Sequence, residues 1–196
     1  MRFLLASTAY ICLLSNTAFC FDDAKADKAK VTTEDVKVRD LTLKVPSTWK
    51  KEPNSSNMRL ATYSTPPAKG DTDRGELTVF SFPGGGGDVG PNITRWIGQF
   101  SGKGKTAKVT KGMTAGDSVY YFVNITGTFN KSVGPPIMRK TEPVDDYRML
   151  GVILTLKGKG VYYLKLTGPK ASIKAQAQLL RQSFGGNAKT ETDYEL

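Results

Sequence analysis

The sequence predicts an α+β fold: an antiparallel sheet of about six strands covered by two helices, an α/β/α sandwich. Three observations carry this. Residues 147–156, "YRMLGVILTL", and 161–168, "VYYLKLTG", are runs rich in β-branched and aromatic residues, joined by "KGKG". That is the pattern of a β-hairpin. Two distant segments carry apolar stripes at helical spacing: Ile93, Trp96, Ile97 and Phe100 in one, Ile173, Ala177, Leu180 and Phe184 in the other. The strands are grouped by hairpins and do not alternate with helices, which argues for an antiparallel sheet.

Taken in order, the chain opens on "MRFLLASTAYICLLSNTAFCFDD". One arginine, an apolar run from Phe3 to Leu14, a more polar stretch and then acids form the layout of a secretory signal peptide at 1–20. The apolar run is too short for a membrane span, which needs roughly 20 residues. Export to the periplasm or the medium follows. Cys20 is a poor lipid-anchor site, because bulky Phe19 stands where such signals place a small residue. Residues 21–37 read as a flexible leader rich in Lys, Asp, Ala and Thr. The domain should span 38–185.

Within it, Leu41 and Leu43 alternate with polar neighbours as a half-buried strand that Pro46 ends. Residues 58–65 and 76–82 follow as strands, the second of high β-propensity. "PGGGGDVG" then leads into the first helix, with Pro91 in its opening turn. Gly98 weakens that helix by about 1 kcal/mol against alanine, which suggests a place of close packing. Residues 106–116 and 118–130 read as adjoining strands, and 131–146 as a long loop. The hairpin and the second helix, 170–184, complete the domain. Residues 186–196 read as a disordered tail.

The composition limits the chemistry. The chain has no histidine, which removes Ser-His-Asp and Cys-His catalysis and the usual zinc ligand sets. Its two cysteines, Cys12 and Cys20, lie in the signal or at its end, so the domain has no internal disulfide and no cysteine nucleophile. No metal or cofactor is expected. Ser47 and Lys50 in "STWK" lack a supporting motif for Ser-Lys catalysis. "DTDRGE" (71–76) resembles part of a calcium loop without its twelve-residue ligand pattern, and reads as a solvated loop. The net charge is +10, or +9 without the first 20 residues, whose only charge is Arg2. The lysines are spread along the chain. A solvated basic surface is the reading, with an anionic envelope component or a protein as partner. Nucleic acid is not expected of an exported chain without a binding motif.

The segments "GEL…GGDVGPNITRWIGQF" (75–100) and "VYYLKLTGP" (161–169), with the order of strands and helices, resemble the PsbP-like superfamily over residues 38 to 184. That group includes the photosystem subunit PsbP and the Ran-binding protein Mog, and the likeness is strongest to its secreted bacterial members. The resemblance implies the fold and a non-enzymatic accessory role. It transfers no activity, because fold does not imply function.

The candidate binding residues are Gly84, Gly85, Gly86, Gly87, Asn92, Arg95 and Gln99. Helix N-termini attract anions, and four glycines stand before one here. Yet a nucleotide-binding loop needs a Lys followed by Ser or Thr, and this loop offers Asp88 instead. Asp88 or Asn92 can also cap the helix from within. The glycines therefore read first as a structural joint. Arg95 and Gln99 form an i, i+4 pair beside it. Trp96 reads as core. Tyr120, Tyr121, Tyr162 and Tyr163 lie in strands, where alternation should send one of each pair outward. The resulting expectation is an exported, non-enzymatic binding or accessory domain. The alternatives are a small-anion or phosphate binder at the glycine loop and a histidine-free hydrolase using carboxylates.

Overall fold

A computed structural model describes residues 31–196, except 135 and 139. The expected signal peptide at 1–20, both cysteines and the expected leader up to residue 30 lie outside these residues.

Among the described residues, ten strands and two α-helices are formed: β1 (Thr33–Val38), β2 (Leu41–Pro46), β3 (Lys50–Glu52), β4 (Arg59–Thr65), β5 (Gly75–Ser81), α1 (Val89–Ile97), β6 (Phe100–Met113), β7 (Val119–Ser132), β8 (Thr141–Leu156), β9 (Gly160–Pro169), α2 (Lys170–Phe184) and β10 (Thr192–Asp193). The fold is α+β and all pairings are antiparallel. The main sheet has eight strands in the order β10-β6-β7-β8-β9-β5-β4-β3, where about six were expected, and β1 and β2 form a separate hairpin. The extra strands are the three-residue β3 and the two-residue β10, too short to show periodicity.

Alternation divides the sheet into two faces. Leu150, Val152 and Leu154 of β8, Leu164 and Leu166 of β9 and Leu77 and Val79 of β5 join one core. Ile173, Leu180 and Phe184 of α2 complete it, together with Leu41, Leu43 and Val45 of β2 and Trp49. Met149 and Ile153 of β8, Val123 and Ile125 of β7 and Tyr163 of β9 point the other way, onto Ile93 and Trp96 of α1. The two helices do not clearly cover the sheet as the expected sandwich requires. One face is shared by α2 and the β1–β2 hairpin, while α1 is nine residues long and its layer is correspondingly small.

Four boundaries differ from the sequence reading. Helix α1 ends at Ile97, and Gly98 is its C-cap, donating to Thr94 O at 2.9 Å. Phe100, the last member of the expected helical stripe, is instead the buried first residue of β6. The close packing expected at Gly98 occurs at Gly151, where an added Cβ would collide with the Trp96 ring. The loop expected over 131–146 shrinks, because β7 runs to Ser132 and β8 starts at Thr141, with a register shift at Gly127–Phe129. Residues 33–37, expected to belong to a flexible leader, are instead part of β1, which begins at Thr33.

The tail is the fourth correction. Residues 188–190 form a 3-10 turn, and β10 pairs with β6. Glu191 holds it: its carboxylate accepts from Arg181 Nε at 2.7 Å, Arg181 Nη2 at 3.0 Å and Thr110 Oγ1 at 2.7 Å. The Arg181 guanidinium lies 3.6 Å over the Phe122 ring. Burial by itself would raise the Glu191 carboxyl. The hydrogen bonds from Arg181 and Thr110 and the Arg181 charge outweigh it and hold the group below its ordinary value.

Candidate functional site

The glycine loop is built from positive backbone angles. Gly84, Gly85, Gly86 and Gly87 have φ of 74°, 84°, 70° and 90°, a region that side-chain-bearing residues avoid. The loop turns its carbonyls toward the protein. The Tyr163 hydroxyl donates to Gly85 O, and the Asn92 Nδ2 amide donates to Gly86 O at 3.1 Å and Asp88 O at 2.9 Å. Arg95 donates in turn to Asn92 Oδ1. Asn92 is thus a buried strut between helix and loop. Neither Asp88 nor Asn92 caps α1 through a side-chain acceptor; the helix starts at Asp88 with no such bond. The carbonyls of Gly85, Gly86 and Asp88 are taken up within the protein, and the Gly85 N–H donates to Phe82 O at 3.1 Å, which makes the loop an internally braced joint.

The four tyrosines also depart from expectation. Tyr120, Tyr162 and Tyr163 are buried, and half-buried Tyr121 packs edge-on against Tyr194 of the tail. Both faces of β7 and β9 are covered there, so alternation exposes neither ring of the β9 pair. Trp96 is core as expected, 4% exposed and edge-on to Tyr163 at 6.3 Å.

Asp71 of "DTDRGE" caps helix α2 from a distance. Its carboxylate accepts from the Ser172 backbone N–H at 3.0 Å and the Ser172 hydroxyl at 2.5 Å. Residue 172 is the third of α2, where N–H groups lack helical partners. Among the described residues, no group of three or more His, Cys, Asp or Glu side chains is placed to hold a metal ion. Ser47 and Lys50 are both exposed, and the Ser47 hydroxyl accepts from Thr32 Oγ1.

A large hollow lies elsewhere, on the α1 side of the sheet beyond the end of that short helix. It encloses about 610 Å³. Thr78 and Phe80 of β5 and Lys165 and Thr167 of β9 contribute to its floor, with Thr78 and Lys165 directly opposite each other in the ladder. Ser64 and Arg59 of β4 border it on one side. Gln99 and the end of β7, Phe129 to Ser132, border it on another, with Tyr147. The two carboxylates there are engaged: Glu76 with Arg59 at 3.0 Å, and Glu52 with the Ser64 hydroxyl at 2.7 Å.

Lys165 is different. Its ammonium donates to neutral Gln99 Oε1 at 3.0 Å and lies 5.8 Å over the Trp96 ring. Among the described residues no carboxylate reaches it within ion-pair distance. Burial lowers its pKa to about 8, and the Arg95 and Arg59 charges add to the effect. A partly buried cation that faces a groove with no counter-charge is a functional-site candidate.

Of the residues singled out in the sequence, Gln99 reaches this groove. The glycines and Asn92 form the joint, and Arg95 braces it while adding charge near Lys165. Lys165, Arg59 and Thr167 were missed. A signal existed for Lys165: it is the one charged residue inside the apolar run 161–168, in a strand flanked by strands on both sides. No protein-family model matches the chain, and no curated protein matches it.

Proposed function

We propose that this chain is an exported, non-enzymatic binding or accessory domain of PsbP-like type, with its ligand seated in the groove beyond α1. The groove with its uncompensated lysine is the observation that carries the reading. The partner is a protein or an anionic envelope component. The order of strands and helices and the placement of α1 and α2 on opposite sheet faces support the PsbP-like sandwich. The layout of residues 1–20 supports export. No described helix is long and apolar enough to cross a membrane.

Binding fits the site better than the rival readings. Paired-carboxylate hydrolysis needs two acids across a cleft. Here Asp71 caps a helix, Glu76 pairs with Arg59 and Glu191 pairs with Arg181. The glycine loop is braced internally by Tyr163 and Asn92, and Asp88 beside it opposes a phosphate.

The test is recovery of bound partners from envelope fractions of the native source, using the wild-type chain and Thr167→Tyr, which fills the groove. The expected result is a partner retained by the first and lost by the second. An unchanged set of partners would refute the groove as the docking site. Intact-mass measurement on the same material should find a start near Cys20; recovery of Met1 would refute export by cleavage.

A further inference from the structure

We infer that the groove takes a small monocarboxylate with a flat apolar body, the carboxylate meeting Lys165 and the apolar part lying toward Phe129 and Tyr147. This rests on the reading of the groove as the ligand site, and names the ligand's chemistry.

The charge argument comes first. The ammonium of Lys165 has only a neutral amide and an aromatic face as neighbours. The charged groups around it are Arg95 from α1, Arg59 from β4 and Glu76 from β5, with Glu76 already committed to Arg59. Farther along the lining stand Arg74, Lys131 and Glu52. An anion therefore gains a direct partner, and the lysine gains the counter-charge it lacks. The aromatic walls favour an organic carboxylate over a hydrated inorganic dianion such as phosphate, which would bring nothing to pack on them.

Shape argues for the apolar body. Phe129 and Tyr147 are stacked nearly parallel, with centroids 5.8 Å apart and planes 4° apart. Phe80 adds a further aromatic wall. The volume, about 610 Å³, falls within the range of small-molecule sites. The lining sets the three aromatic rings among polar and charged side chains, of which Lys165, held by Gln99, is placed to meet a carboxylate.

Proton linkage supplies a signature. Lys165 ordinarily loses its proton at about 8 in this setting. A bound carboxylate stabilises the ammonium, so binding above that pH takes up a proton. Affinity should fall by up to about tenfold per pH unit above 8, since only the protonated lysine pairs. A carboxylate guest that merely sensed the overall basic surface would show no such break.

The experiment is calorimetric titration of the full chain with phenylacetate, its neutral analogue 2-phenylethanol, and phosphate, between pH 6.5 and 9.5 in buffers of different ionisation enthalpy. The expected result is phenylacetate binding at pH 7 at least tenfold tighter than either comparator, with proton uptake above pH 8. Lys165→Met, shown folded by its thermal melt, should lose at least tenfold, and Lys165→Arg should retain binding without the pH break. Phenylacetate binding unchanged in Lys165→Met, or absent from the wild type, overturns the inference. Phosphate binding as tightly as phenylacetate, and equally dependent on Lys165, overturns the monocarboxylate chemistry. If no probe binds while Thr167→Tyr still strips the partner from envelope fractions, this inference fails and the proposed function stands.

Discussion

The two faces of the main sheet are closed in different ways. On one, the fifteen-residue helix α2 and the β1–β2 hairpin share the covering, and the Trp49 indole N–H donates to Gln176 Oε1 at 2.9 Å across it. On the other, the nine-residue α1 packs Ile93 and Trp96 onto the sheet and stops at Gly98. Beyond it the same face carries Thr78, Lys165 and Thr167 in place of aliphatic side chains. A sheet face left by its covering layer must solvate its side chains, and the polar surface thus created is where a ligand can dock. Helix length sets the border between core and groove.

The largest test of that contrast is Trp96→Ala. Trp96 closes the small core under α1, lying on Gly151 and against Tyr163. The change should lower stability by about 3–5 kcal/mol, read from denaturant melts. A loss within about 0.5 kcal/mol, the range of exposed positions, would remove the α1 face as a core.

Glu191→Gln tests the tail. Removing one partner of a buried ion pair costs about 3 kcal/mol, and amide exchange in β10 should rise. The pH dependence has a definite sign. The Glu191 carboxyl sits below its unfolded value in the folded protein. Its contribution is fully present above the unfolded carboxylate range and is lost as pH falls through the folded value. The wild-type stability curve should therefore drop on the acid side, and the variant should drop less.

The glycine joint is tested by a pair of substitutions. At Gly86 an added Cβ would stand 2.9 Å from Phe82 and Tyr163, on top of a φ of 70°. At Gly84, φ is 74° but nothing lies within 4 Å. Gly84→Ala should cost about 1–2 kcal/mol for the left-handed backbone alone, and Gly86→Ala more. Equal losses in thermal melts would mean that the rings do not bear on the loop.

The smallest expected effect belongs to the groove. Lys165→Met removes an uncompensated charge, so stability at pH 7 should be unchanged or slightly raised. Lys165 loses its proton at about 8 when folded, against about 10.5 when unfolded. Between those values the unfolded chain binds more protons, so wild-type stability gains a favourable contribution as pH rises. That contribution should vanish in Lys165→Met. A large loss of stability in the variant would place Lys165 among the packing residues instead.

Fold class and the two apolar helical stripes were legible in the chain because local periodicity reports which residues are covered. So was Trp96, at the centre of one stripe. The place of Phe100 was not: its spacing continues the helix, but Gly98 ends it and the ring is buried from β6. The eight-stranded sheet was also beyond reach, since β3 and β10 exist only because longer neighbours offer them an edge. The tail looked disordered by composition, and its order comes from Arg181, Thr110 and Tyr120, which meet Glu191 only after folding. Asp71 read as a solvated acid and became a helix cap because the chain brings it to Ser172 across 101 positions. Lys165 stood out in an apolar run, yet its meaning depends on where α1 ends above it. Periodicity is local, so it survives in one dimension; counter-charges, caps and empty volume are relations between distant residues, which only the packed chain creates.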